Sequence, residues 1–86
     1  MAGLLRYDVP DGPENKYEYV ARHLEKRIRE GELSPGGRLP NERVLAAEYG
    51  VSVGTAKRAV RIVAGKGLVT IARSKGVYIA DRENWA

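Results

Sequence analysis

The chain of 86 residues contains no cysteine, a single histidine, and no aspartate or glutamate between Ser52 and Gly76. Without cysteine there is neither a disulfide framework nor a thiolate metal site, which fits a reducing compartment. His23 has no second His or Cys beside it, so it reads as a surface or packing residue rather than a metal ligand. The opening "MAGLLRYDVP" lacks the basic and apolar regions of a signal peptide, which leaves the cytoplasm as the expected compartment. A charged content of 30% excludes a membrane span. Catalysis finds no support either. There is no Ser–His–Asp constellation, no glycine loop in a strand–loop–helix setting, and "GKGLVT" lacks the spacing of a phosphate-binding loop. The expectation is a protein that is not an enzyme and carries no metal or cofactor.

What is present suffices for one small domain, with 43% apolar residues to build a core. Residues 1–51 carry eight basic and nine acidic side chains, whereas residues 52–76 carry six basic ones and no acid. The net charge of +4 is therefore a local patch on a nearly neutral body. Nucleic acid is the leading partner for such a patch. An anionic membrane surface is disfavoured, because the basic segment lacks the large apolar face that interfacial binding needs.

Residues 1–13, with Gly3, Pro10, Gly12 and Pro13, read as a flexible N-terminal arm. From about Glu14 the pattern is helical: Tyr17, Val20, Leu24 and Ile28 recur three or four apart with Ala21 beside them, and Gly31 ends the run. "GELSPGGRLP" is a turn-rich connector in which Arg38 reads as support for the turn and "RLP" offers a short strand. Asn41 caps a helix from Glu42 to Tyr49. Gly50 supplies a left-handed stop, and Ser52 caps a third helix running to about Ala64. That helix buries Ala56, Ala59, Val60 and Val63, and at 100° per residue it places Gly54, Lys57, Arg58 and Arg61 on the opposite side. "LVTIAR" and "GVYIA" then read as a hairpin, Leu68–Arg73 with Gly76–Ala80, carrying Arg73 and Lys75 at its tip. Tyr17, Tyr19, Tyr49 and Tyr78 read as core or interface aromatics. Residues 81–86 form a polar tail whose Trp85 is exposed unless the tail folds back.

Two short helices joined by Gly-Val-Ser make a helix-turn-helix, in which the first helix crosses the phosphate backbone and the second enters the major groove. Val51 plugs the space between the helices. Ser52 caps the groove-entering helix, whose free N–H groups then face phosphate. Gly54 and Thr55 are small enough for close backbone approach. The basic hairpin behind this unit reads as a wing. The expected fold class is thus α+β, a winged helix-turn-helix over residues 14–80 with three helices and a small antiparallel β-wing.

The segment "GELSPGGRLPNERVLAAEYGVSVGTAKRAVRIVAGKGLVTIARSKGVYIA" resembles the N-terminal winged-helix domain of GntR-type bacterial transcriptional repressors over about residues 17–80. The resemblance implies cytoplasmic, nucleoid-associated binding of double-stranded operator DNA by a homodimer. It carries DNA contacts onto Arg43, Ser52, Thr55, Lys57, Lys75 and Gly76. The residue reading adds Val53, Gly54, Arg58, Arg61 and Arg73 to the expected DNA-binding set. The family pattern departs from this chain at three places. Its arginine after Val-Ser is Val53 here, its valine after threonine is Ala56, and its cap serine is Asn41, which keeps the capping chemistry. Family members usually continue into an effector and dimerisation domain, so no small-molecule effector site is expected within these residues. A winged helix used as a protein-interaction or RNA-binding module is the alternative reading.

Overall fold

A computed structural model describes residues 7–10 and 15–86. Its elements follow the order α1 (Lys16–Arg29), α2 (Glu42–Tyr49), α3 (Val53–Gly65), β1 (Val69–Ala72) and β2 (Gly76–Ile79), closed by a 3-10 turn at Arg82–Asn84. The caps explain where the helices begin. Asn15 precedes α1, and its N–H is met by the Glu18 carboxylate at 3.2 Å. Asn41 Oδ1 accepts from Val44 N–H at 3.0 Å at the start of α2. Ser52 Oγ does the same for Thr55 N–H, at 3.0 Å, at the start of α3. Each cap satisfies an amide that the helix itself leaves without a partner. Gly50 ends α2 with φ 65°, the left-handed stop expected there.

The core lies between the three helices and the inner face of the hairpin. Val20, Leu24 and Ile28 from α1 meet Leu45 and Tyr49 from α2 and Ala56, Ala59 and Val63 from α3. Leu68, Val69 and Ile79 close it from the hairpin side. Complete burial of a Leu or Ile side chain is worth about 1.5–3 kcal/mol, so these residues dominate the stabilisation. The small residues on α3, Ala56 and Ala59, are fully buried and let α1 and α2 pack closely on either side of it. This packing presents the opposite face of α3 outward.

The hairpin pairs Val69 with Ile79 and Ala72 with Gly76 in an antiparallel register. "RLP" joins it as the expected third member, through a bridge between Arg38 and Tyr78. Leu39 N–H donates to Val77 O at 2.7 Å, and Ile79 N–H donates to Gly37 O at 2.8 Å. The wing is thereby tied to the chain just ahead of α2 as well as to α3.

Both ends of the described chain dock on the domain. Residues 1–6 and 11–14 lie outside the described residues, so a flexible arm over 1–13 can be compared only at residues 7–10. There Tyr7 is docked: its N–H donates to Glu48 O at 2.8 Å, and its ring stacks on Tyr49 at 4.7 Å. Aromatic burial outweighs the loop composition that suggested a free arm. The tail also folds back. Trp85 packs against the core, its Nε1–H donates to Ala80 O at 2.9 Å, and Ala86 N–H donates to Lys66 O at 2.8 Å. Gly67, with φ 75°, sits beneath it, and a Cβ there would collide with Asn84 O.

Candidate nucleic-acid interface

Sequence periodicity expects one face of α3 to be basic, and the folded chain presents it. Ser52, Val53, Gly54, Lys57, Arg58 and Arg61 are exposed, with Thr55 half-buried. Gly54, Lys57, Arg58 and Arg61 border one shallow depression with Ile62. At the mouth of α3 the Ser52 hydroxyl donates to Thr55 Oγ1 at 2.9 Å while accepting from Thr55 N–H. The Thr55 hydroxyl keeps its own proton for an outside acceptor. Val53 is 44% exposed and Val44 of α2 is 45% exposed, which places two apolar side chains at the surface of the helix-turn-helix.

The second group lies where the start of α2 faces the wing. A cleft of about 560 Å³ opens between the start of α2 and the wing. It is bordered by Arg43 from α2, by Arg73 and Gly76 from the wing, and by Arg38. Ile71, 54% exposed on β1, adds an apolar wall. Lys75 stands exposed in the wing turn, which Ser74 closes with φ 67° and Lys75 N–H closes by donating to Ala72 O at 3.0 Å. The expected residues therefore form two neighbouring clusters, one along α3 and one in the wing cleft.

Not every cation is equally available. Lys66, one of the six that made residues 52–76 basic, pairs with Glu25 of α1 at 2.9 Å. Glu25 also pairs with Arg29 at 2.8 Å, and these two cations hold its carboxyl below the usual range. Lys66 thus belongs to the α1–α3 seam and not to the patch. Arg58 is exposed, yet its guanidinium lies over the Tyr17 ring at 3.9 Å, so it is shared with α1. Lys57 and Arg61 carry no such internal partner among the described residues.

Behind α2 lies a buried polar network that the sequence did not announce. Arg27 is 5% exposed and pairs with Glu32 at 2.9 Å and Glu48 at 3.6 Å. Its Nη1 also donates to the Tyr49 hydroxyl at 3.3 Å. That hydroxyl in turn meets His23 Nδ1 at 2.7 Å. Burial pushes the Tyr49 phenol up to about 12, so it stays protonated. At 100° per residue Arg27 falls on the apolar stripe of α1 beside Val20 and Leu24, so periodicity places it inward; its partners on and beside α2 are what only the fold supplies.

Residues 16–79 match the sequence profile of the bacterial regulatory proteins of the gntR family. The chain belongs to that family. Over 69 residues it is 33% identical to the arabinose metabolism transcriptional repressor of Halalkalibacterium halodurans, covering 80% of this chain and 18% of that protein. Over 65 residues it is 32% identical to the mannosyl-D-glycerate transport/metabolism system repressor MngR of Escherichia coli, covering 76% of this chain and 27% of that one. The chain thus spans 18–27% of the length of these curated relatives. Among solved structures, AraR(DBD) in complex with an operator aligns with a TM-score of 0.80 at 25% identity, over 87% of this chain and 99% of that one. The gntR-family fold, three helices followed by a two-stranded antiparallel wing, is the α+β winged helix expected from the sequence. The family is one of regulators, and among the described residues no helix is long and apolar enough to cross a membrane.

Proposed function

We propose that this chain is the DNA-binding unit of a gntR-family transcriptional repressor and recognises double-stranded operator DNA by sequence. In this reading α3 enters the major groove. Lys57 and Arg61 meet phosphates or guanine edges, and Thr55 meets a phosphate or a thymine methyl. Ser52, Val53 and Gly54 line the entry of the helix, and Arg58 reaches phosphate from the α1 side. Arg43 reads or clamps beside them, while Arg73, Lys75 and Gly76 follow the backbone at the adjacent minor groove. Two copies on a palindrome would place two α3 helices one helical turn apart, as the geometry of paired half-sites requires. Such a unit works in the cytoplasm, at the nucleoid.

One observation carries this reading: the exposed face of α3 bears Lys57, Arg58 and Arg61 with no carboxylate on the same helix, next to a wing cleft that collects further arginines. The repressor names of the relatives and the operator held by AraR(DBD) point the same way. The test is a competition between a labelled duplex DNA and unlabelled DNA or RNA of matched length. Duplex DNA should compete at least tenfold better than double- or single-stranded RNA. Equal competition would favour an RNA-binding module, and no binding to either would leave a protein-interaction module.

A further inference from the structure

Three arginines border the wing cleft, and the one outside the expected set, Arg38, has the most constrained placement. Its backbone bridges Tyr78 of β2, and the hydrogen bonds Leu39 N–H to Val77 O and Ile79 N–H to Gly37 O lock the chain on both sides of it. Its guanidinium lies 6.0 Å from the centre of the Tyr78 ring and directly against Gly76. A Cβ at position 76 would come within 2.7 Å of Arg38 Nε and 2.8 Å of Nη2. Bare backbone at Gly76 is therefore what lets the guanidinium lie across the wing beside its turn. Arg38 is exposed and has no carboxylate partner among the described residues, whereas Arg27 and Arg29 are paired with Glu32 and Glu25. A cation rooted in a β-bridge, resting on an aromatic ring and left without a carboxylate partner among the described residues, is arranged for an outside anion.

Duplex geometry says which anion. If α3 occupies the major groove and the wing approaches the adjacent minor groove, the strip between them is the sugar–phosphate backbone that separates the two grooves. The cleft occupies that strip, with Arg38, Arg43 and Arg73 set against the single carboxylate of Glu42. We propose that Arg38 is a phosphate anchor, which grips a backbone phosphate of the strand between the two grooves and sets how far the wing stands from α3. The proposal rests on the duplex-DNA reading above. It makes Gly76 the residue that creates room for Arg38, and it makes Arg38 a positioning residue with no base preference of its own.

The experiment selects a duplex from a random library with the unaltered chain, then compares Arg38→Gln and Arg38→Lys on that duplex and on scrambled ones. Arg38→Gln should weaken binding to all duplexes by about 5- to 10-fold near 0.1 M salt and lower the salt slope by about one unit. Arg38→Lys should recover the slope but only part of the affinity, since it keeps the charge and loses the fork. Replacing phosphates one at a time with uncharged methylphosphonates should reveal one position per half-site that weakens the unaltered chain but not Arg38→Gln. That comparison is made within each protein, so it decides even if the variant is less stable. Binding of the unaltered chain with an unchanged slope and an identical methylphosphonate pattern in Arg38→Gln overturns the proposal alone. Failure of the unaltered chain to bind any duplex overturns it together with the DNA reading.

Discussion

At the scale of single residues, two positions carry sharp expectations. Val53 stands where the family pattern has arginine, so the first turn of α3 offers only apolar contact there, and Arg43 should take a larger share of any guanine reading. A bidentate arginine–guanine contact is worth about 1–3 kcal/mol of discrimination. Arg43→Ala should therefore reduce specific binding by roughly 10- to 100-fold and relax one base pair per half-site, and Val53→Arg should gain preference for guanine. Library selection with both variants checks this; unchanged base preference in Arg43→Ala would make that residue a phosphate clamp only. His23 carries the second expectation. Burial, followed by Arg27 and Lys26, lowers its pKa from the ordinary 6.5. The Tyr49 hydroxyl that meets Nδ1 also accepts from Arg27, so a protonated imidazole would be a second cation on one hydroxyl. Because the folded pKa is the lower one, the unfolded chain takes up the proton first, and stability present above pH 6.5 is lost as pH falls through the folded value. Melting at pH 7.5 and pH 5.5 should show a drop on acidification that shrinks in His23→Gln.

At the scale of elements, the caps and stops were legible because each depends on a few consecutive residues. Asn41, Gly50 and Ser52 place the ends of α2 and α3 with chemistry that works within one turn. The tail was not legible, because its docking depends on Gly67, Lys66 and Arg29, which the fold alone brings to it. Arg29 Nη2 donates to Ala86 O at 2.5 Å, and its guanidinium stands 5.8 Å from the Trp85 ring. Gly67→Ala should expel this tail, since the new Cβ would meet the Asn84 carbonyl and the backbone at φ 75° resists a side chain. Undocking a half-buried tryptophan should cost about 1–2 kcal/mol, less than the full core value. In a domain of this size that is roughly 5–15 °C in Tm. The tail docks at the far end of α3, at Lys66 and Gly67, about 20 Å along the helix axis from Ser52 at 1.5 Å per residue. Affinity of the folded variant for duplex DNA should therefore stay within about twofold of the unaltered chain. A variant that melts normally, or that melts lower and also loses DNA binding, would refute this separation.

At the scale of the whole molecule, acids and bases are sorted into regions. No carboxylate lies between Ser52 and Gly76, and Glu25, Glu32 and Glu48 are paired with Arg29, Lys66 and Arg27, whereas Arg43, Lys57, Arg61, Arg73 and Lys75 stand exposed without a carboxylate paired to them among the described residues. With roughly five phosphates neutralised per monomer, log K against log salt should fall with a slope of about −4 to −5. Fluorescence anisotropy across a salt series measures it, and a slope near zero would sink the nucleic-acid reading. The sequence by itself determined the order of the elements, the helix ends, the hairpin and the basic side of α3, because each follows from local periodicity, caps and turn residues. Tertiary structure alone decided which charges remain available. It drew Lys66 into a pair with Glu25, laid Arg58 on Tyr17, buried Arg27 beside Glu48, docked Tyr7 and Trp85, and set Arg38 across Gly76 in the cleft with Arg43 and Arg73. These contacts join residues from about twenty to sixty positions apart in the chain. No window of neighbouring residues holds both partners, so helix packing, and not local pattern, determined them.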